Sequence, residues 1–213
     1  MRRPRRILGR KPLPANQTGQ PMHSHIQPVE LTKAYRLLNH GPVTLVSSAA
    51  AGQRNVMAAS WTMPLDFNPP KVALVIDKST LTRQLIEQSG ELVLNVPCRT
   101  QAGLTLAVGS ASGREHDKFA AHDISTLPAS KVGAPLIAGC IGWLECRIVN
   151  EPHNQQAYDL FVAEVVAAWA DPRVFSNGHW HSDQPELRSL HYVAGGVFFA
   201  TGEEISVKPE TTR

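Results

Sequence analysis

The stretch NVMAASWTMPLDFNPPKVALVIDKSTLTRQLI, Asn55–Ile86, decides how this chain is read. An extended run closes on Ser60-Trp61, and a double proline follows at Pro69-Pro70. The apolar run Val72–Ile76 comes next, and Lys78-Ser79-Thr80-Leu81-Thr82 opens a helical pattern. Apolar runs set between turn residues predict strands on both sides of the prolines. Ser79 or Thr80 is placed to cap the helix, and Gly90 to end it. Three hydroxyls and a lysine within five residues exceed what a cap needs. The N–H groups and dipole of a helix start favour negative charge. Lys78, Ser79, Thr80 and Thr82 therefore predict a phosphate site, with plain capping as the competing reading. Ser60 adds a hydroxyl and Trp61 a flat ring, while Ala58 and Ala59 leave room for a planar ligand. The competing reading puts Trp61 in the core.

Working outward, VELTKAYRLLNHGP from Val29 has helical spacing and stops at Asn39-His40-Gly41-Pro42. VTLVSSAA is a strand, and AGQRN turns it into NVMAASW. KVALVID is apolar enough to line a barrel, ELVLNVP is a further strand and TQAGLTLAVGSAS a short helix before the polar loop GREHDKF. In CIGWLECRIVNEP, Ile141, Trp143, Glu145, Arg147 and Val149 alternate with Leu144, Cys146 and Ile148. YDLFVAEVVAAWADP reads as a long strand, and GGVFFATG as a closing one. Strands outnumber helices, so the expected class is mainly β, a small barrel with peripheral α-helices. Residues 1–28 read as a polar tail, 29–205 as the folded domain and 206–213 as a second tail.

The chain has 213 residues, 42% hydrophobic and 18% charged, enough for one domain with a real core. The net charge of +3 misleads, because Arg2, Arg3, Arg5, Arg6, Arg10 and Lys11 supply six positive charges. The remainder carries 15 Lys and Arg against 18 Asp and Glu, a net of −3. A mildly acidic body lacks the basic face of a nucleic-acid binder. The Arg-rich start reads as a disordered extension, with contact to RNA or an anionic membrane as the alternative, and Met22 as an alternative start. No apolar run approaches the roughly 20 residues that span a bilayer, and no apolar segment of a signal peptide follows the basic start. Cys98, Cys140 and Cys146, odd in number and without a CxxC, point to reduced thiols and a cytoplasmic location.

The segments AYRLLNHGPVTLV, NVMAASW, NPPKVALVI, KSTLT and ELVLNVP, in that order and spacing, resemble the flavin reductase-like family with its FMN-binding split β-barrel, which includes flavoredoxin-like proteins. The resemblance runs from about Val29 to Glu203. It implies that Asn55, Met57, Ala58, Ala59, Ser60 and Trp61 line the flavin ring and part of the phosphate site. It also implies that Lys78, Ser79, Thr80 and Thr82 hold the phosphate of FMN. Asn95 falls where the family has a strand Asn near the flavin; a buried sheet Asn is the alternative. SGREHDKF resembles the loop that closes over the flavin, which makes Arg114, His116, Asp117, Lys118 and Phe119 candidates. His191-Tyr192, before the glycine pair of VAGGVFF, resembles the segment near the nicotinamide; an interface His and Tyr is the alternative.

The implied activity is hydride transfer from NADH or NADPH to flavin, by a homodimer serving a downstream monooxygenase or another electron acceptor. Stacking of two rings with exclusion of water is all the chemistry asks of the protein. The rival readings are a flavoredoxin-like electron carrier with tightly bound FMN and a non-catalytic flavin-binding module. The absence of GxGxxG excludes a separate Rossmann domain as the nicotinamide site. His23-x-His25 and His179-x-His181 lack companion ligands, so no metal is expected. Cys140 and Cys146 lie too far apart along one strand to pair, and read as buried thiols.

Overall fold

The computed structural model describes residues 41–181 and 183–207. The expected helix over 29–40, the first tail, the His23/His25 pair and residues 208–213 lie outside the described residues. The first hairpin is β1 (Thr44–Ala50) and β2 (Gln53–Ala59), turned by Ala51 and Gly52 at positive φ. Then come β3 (Thr62–Phe67), β4 (Pro70–Val75), α1 (Leu81–Ser89), β5 (Glu91–Val96), α2 (Ala102–Ser110) and the short α3 (Lys118–Ala121). The second half holds β6 (Thr126–Leu127), β7 (Leu136–Ile137), β8 (Gly142–Val149), α4 (Pro152–Tyr158) and the long β9 (Leu160–Ala170). Two hairpins follow, β10 (Phe175–Ser176) with β11 (His179–Trp180), and β12 (Leu190–Ala194) with β13 (Val197–Ala200).

Seven strands form one antiparallel sheet in the order β2-β1-β5-β8-β9-β4-β3. Its two edge strands, β2 and β3, are consecutive in the chain with only Ser60 and Trp61 between them. Such a link spans at most about 11 Å, whereas the edges of a flat seven-stranded sheet stand about 29 Å apart. The sheet therefore curls until its edges face each other, and the gap between β2 and β3 is the split in the barrel. Inside lie Val46, Leu74, Ile76, Leu92, Leu94 and Phe161, with Ile86 of α1 packed among them. A second cluster on the outer face joins Leu45 and Val56 to Val108 of α2 and to Phe119, Ile124 and Ile137.

The cap and stop of α1 are as expected. Thr80 Oγ1 accepts from the Arg83 N–H at 3.1 Å, and Gly90 (φ 70°) returns its N–H to Ile86 O at 2.8 Å. Strand β3 was not expected. Pro64 argues against a central strand, but an edge strand does not need that N–H, and the register slips between Pro64 and Asp66. GGVFFATG does not close the barrel: among the described residues β13 pairs only with β12. Gly195 and Gly196 have φ of 58° and 84° and form the turn between those strands. The glycine pair thus serves a hairpin turn. This hairpin docks on the start of β1, where the Val43 N–H donates to Leu190 O at 3.1 Å.

Candidate functional site

The hydroxyl-rich start of α1 divides its work. Ser79 donates its N–H and Oγ to Asp77 Oδ1 at 2.8 and 2.6 Å. Those bonds, the side-chain one foremost, hold the Asp77 carboxyl below its ordinary range. Thr80 Oγ1 is the cap and also donates to Asp77 O at 2.8 Å. Thr82 is fully buried and accepts from Asn55 Nδ2 at 2.8 Å. Capping is therefore right for Thr80, and Thr82 turns inward to β2. At the helix start Asp77, Lys78 and Ser79 are exposed. Lys78 lies with its Nζ 3.9 Å from Asp159 Oδ1. Arg114 reaches in from the loop after α2, donating Nε to Ser79 O at 3.2 Å and Nη1 to Gln84 Oε1 at 3.0 Å. Gly113 makes that reach feasible: a Cβ there would fall 2.2 Å from Asn55 Oδ1.

At the other end of β2, alternate residues face opposite ways. Met57 and Ala59 pack into the barrel core. Ala58 and Ser60 line a cleft of about 130 Å³ against α2 and the β12–β13 hairpin, together with Thr105, Ser110, Tyr192 and Phe198. Tyr192 sets its ring edge-on to Phe198, centroids 5.3 Å apart. A Cβ on Gly109 would come within 3.1 Å of Ala58 Cβ, so this glycine lets helix and strand close up. That requirement explains a residue that costs about 1 kcal/mol relative to Ala inside a helix.

His191 precedes Tyr192 on the same strand and so faces the other way. It lines a larger, mainly apolar groove of about 690 Å³ with Thr62, Met63, Trp180, His181 and Leu187. The two recesses flank the β2–β3 corner, with Ser60 in one and Thr62 in the other. His191 and Tyr192 thus line one recess each. Trp61 is 52% exposed and not a core residue.

Three further expectations change. Asn95 is fully buried. Its Nδ2 donates to Leu45 O and Ser47 Oγ at 2.8 and 3.0 Å, and its Oδ1 accepts from the Ile137 N–H at 2.7 Å. It is a sheet residue tying β5 to β1 and β7. Phe119 is a core side chain of the outer cluster, with Arg54 over its ring at 4.1 Å. Lys118 is buried too, and its Nζ donates to Val56 O and Val108 O at 3.0 and 2.7 Å. Burial lowers its pKa. Asp117 caps α3 through the Phe119 N–H at 2.8 Å. GREHDKF is thus half loop and half anchor, and of its candidates Arg114, His116 and Asp117 are exposed. Sequence reasoning missed Thr105, Gly109 and Gly113. A glycine inside a helical run was a signal for Gly109; nothing local marked Thr105.

The family model for the flavin reductase like domain matches residues 36–195. The chain belongs to that family. Among flavin reductase-like proteins of known structure, an FMN-binding domain of a flavin reductases-like enzyme from Shewanella baltica OS155 is 50% identical. It superposes with a TM-score of 0.77 over 84% of this chain and 96% of that one. The Escherichia coli (strain K12) protein YddH is 43% identical over 186 residues, 86% of this chain and 98% of its own. The reductase subunit HsaB of a flavin-dependent monooxygenase from Mycobacterium tuberculosis is 28% identical over 127 residues, 57% of this chain and 65% of HsaB. No helix among the described residues is long and apolar enough to cross a membrane.

Proposed function

We propose that this protein binds FMN and reduces flavin with NADH or NADPH, as a cytoplasmic homodimer that supplies a monooxygenase or another electron acceptor. One observation carries the reading. β2 and the 110–114 loop both run from the hydroxyl-lined cleft to the cationic start of α1. Asn55 on β2 touches Thr82, and Ser60, just past the end of β2, lies in the cleft. Ser110, the last residue of α2, lies in the cleft, and Arg114 in the loop after it lies on the helix start. The five steps from Asn55 to Ser60 cover about 16 Å of strand, the scale of a mononucleotide from phosphate to ring.

The donor set fits FMN. Lys78, Arg114 and the first N–H groups of α1 suit a phosphate dianion. Small residues and hydroxyls at Ala58, Ser60 and Ser110, with the exposed ring of Trp61, suit a flat ring with a polar edge. The chemistry FMN supplies is acceptance of a hydride from a reduced nicotinamide. The chain's part is to orient both rings and exclude water, with His191 in the groove placed to orient the nicotinamide. The homodimer reading rests on β3, an edge strand whose Met63, Leu65 and Phe67 are 57%, 47% and 98% exposed beside Trp61. Such an apolar edge asks for a cover.

The test is the visible spectrum of purified protein loaded with FMN, followed by NADH and NADPH in turn. The expected result is a flavin spectrum that bleaches with one nicotinamide and sustained oxidation of that nicotinamide when free flavin is added. A protein that neither takes up FMN nor bleaches ends this reading. Bleaching without turnover of added flavin identifies a flavoredoxin-like carrier instead.

A further inference from the structure

We infer that Thr105 is a flavin-positioning residue: its hydroxyl is the hydrogen-bond donor that the cleft keeps for the polar edge of a flat heteroaromatic ring. This rests on the flavin-binding reading above. Thr105 is 1% exposed, lines the cleft, and has no hydrogen-bond partner for Oγ1 among the described residues. A buried hydroxyl without a partner costs free energy, and a helical threonine ordinarily bonds back to a carbonyl one turn earlier. The same side chain as Val would remove that cost without changing the shape of the wall. An unpaired donor kept where it destabilises the ligand-free protein marks a group whose partner arrives from outside.

The surroundings say what partner. Gly109 lies one turn after Thr105 on the same side of α2, and its missing Cβ keeps that face flat against Ala58. Ser60, Ser110 and Tyr192 add three more hydroxyls, while Leu106 and Phe198 form apolar walls. A cleft of about 130 Å³ takes one edge of a tricyclic ring, not the whole of it. Hydroxyl donors on a narrow apolar slot match the carbonyl and ring-nitrogen edge of the isoalloxazine.

The experiment uses flavin-stripped wild type, Thr105→Val and Thr105→Ser, each titrated with FMN, riboflavin and lumiflavin, and each melted without ligand. Lumiflavin has neither ribityl chain nor phosphate, so it isolates the ring. Thr105→Val should weaken all three flavins alike, roughly tenfold, with an unchanged or higher Tm for the ligand-free protein. Thr105→Ser should restore most of the affinity. Wild-type affinity in Thr105→Val, or a loss confined to FMN, overturns the inference and leaves flavin binding standing. So does a Tm lowered by several degrees, which would show that the hydroxyl serves the fold. A wild type that binds none of the three flavins overturns the flavin reading itself, and this inference with it.

Discussion

On the proposed reading, Arg114 is the residue on which phosphate recognition turns. Its guanidinium rests on the carbonyls of Ser79 and Thr80 and on Gln84, all at the surface. Those bonds hold a planar fork of donors at a helix start, where an anion is favoured. Arg114→Ala should weaken FMN roughly 10- to 100-fold, the worth of one charge-assisted contact. Riboflavin, which has no phosphate, should lose little. Fluorescence titration of both flavins into wild type and variant checks this, and equal losses would remove Arg114 from the phosphate site. Ser79 and Thr82, which look like equal partners in the sequence, differ in the fold. One is taken up by Asp77 and the other by Asn55, so neither hydroxyl is expected to match Arg114.

The 111–117 loop acts as an element through its anchors. At one end Lys118 Nζ joins β2 to the last turn of α2, and in the middle Gly113 lies against Asn55. A Cβ at Gly113 overlaps the Asn55 amide, so Gly113→Ala must displace the loop and carry Arg114 with it. In a double-mutant cycle, Gly113→Ala and Arg114→Ala should therefore not add. FMN affinity of the double variant should match that of the weaker single variant; a full sum would show the two act independently.

A second loop, 128–135, is fastened by one buried carboxylate. Glu145 on β8 accepts from the Ser130 and Lys131 N–H groups and from Trp169 Nε1 at 2.8 Å. Burial, the largest influence, raises its pKa, but these bonds together outweigh it and the carboxyl sits below its ordinary value. A depressed folded pKa gives stability that is present above the unfolded value of about 4.3 and is lost as pH falls through the folded one. Glu145→Gln should be destabilised near neutral pH, and its deficit should shrink below about pH 4. Urea unfolding at both pH values measures the gap, and a constant gap would exclude this linkage.

For the whole molecule the question is what covers the β3 edge. Trp61, Met63, Leu65 and Phe67 recur at every second residue beside the split, and all four are exposed. On the proposed reading a second copy covers them. Leu65→Glu with Phe67→Glu should then give a monomer by light scattering at micromolar concentration, with weakened FMN binding if the partner completes the site. A wild type that is monomeric while holding flavin would separate site from assembly.

Local chemistry alone determined much of this protein. Thr80 and Gly90 bound α1 because a cap and a left-handed stop are properties of a few adjacent residues. The strands around Asn55 and Val72 followed from runs of apolar residues between turns, and the family followed from the order of five short segments. What tertiary structure decided is which way each side chain faces and what it meets. Asn95 became a sheet tie because β1 and β7 flank it, and Phe119 a core residue because α3 folds back under β2. His191 and Tyr192 parted because a strand sends neighbours to opposite faces. Thr105 came into view only when α2, β2 and the β12–β13 hairpin met around one cleft. Spacing along a chain carries hydrogen-bonding and capping patterns, but burial depends on partners many residues away, and here the curl of the sheet chooses them.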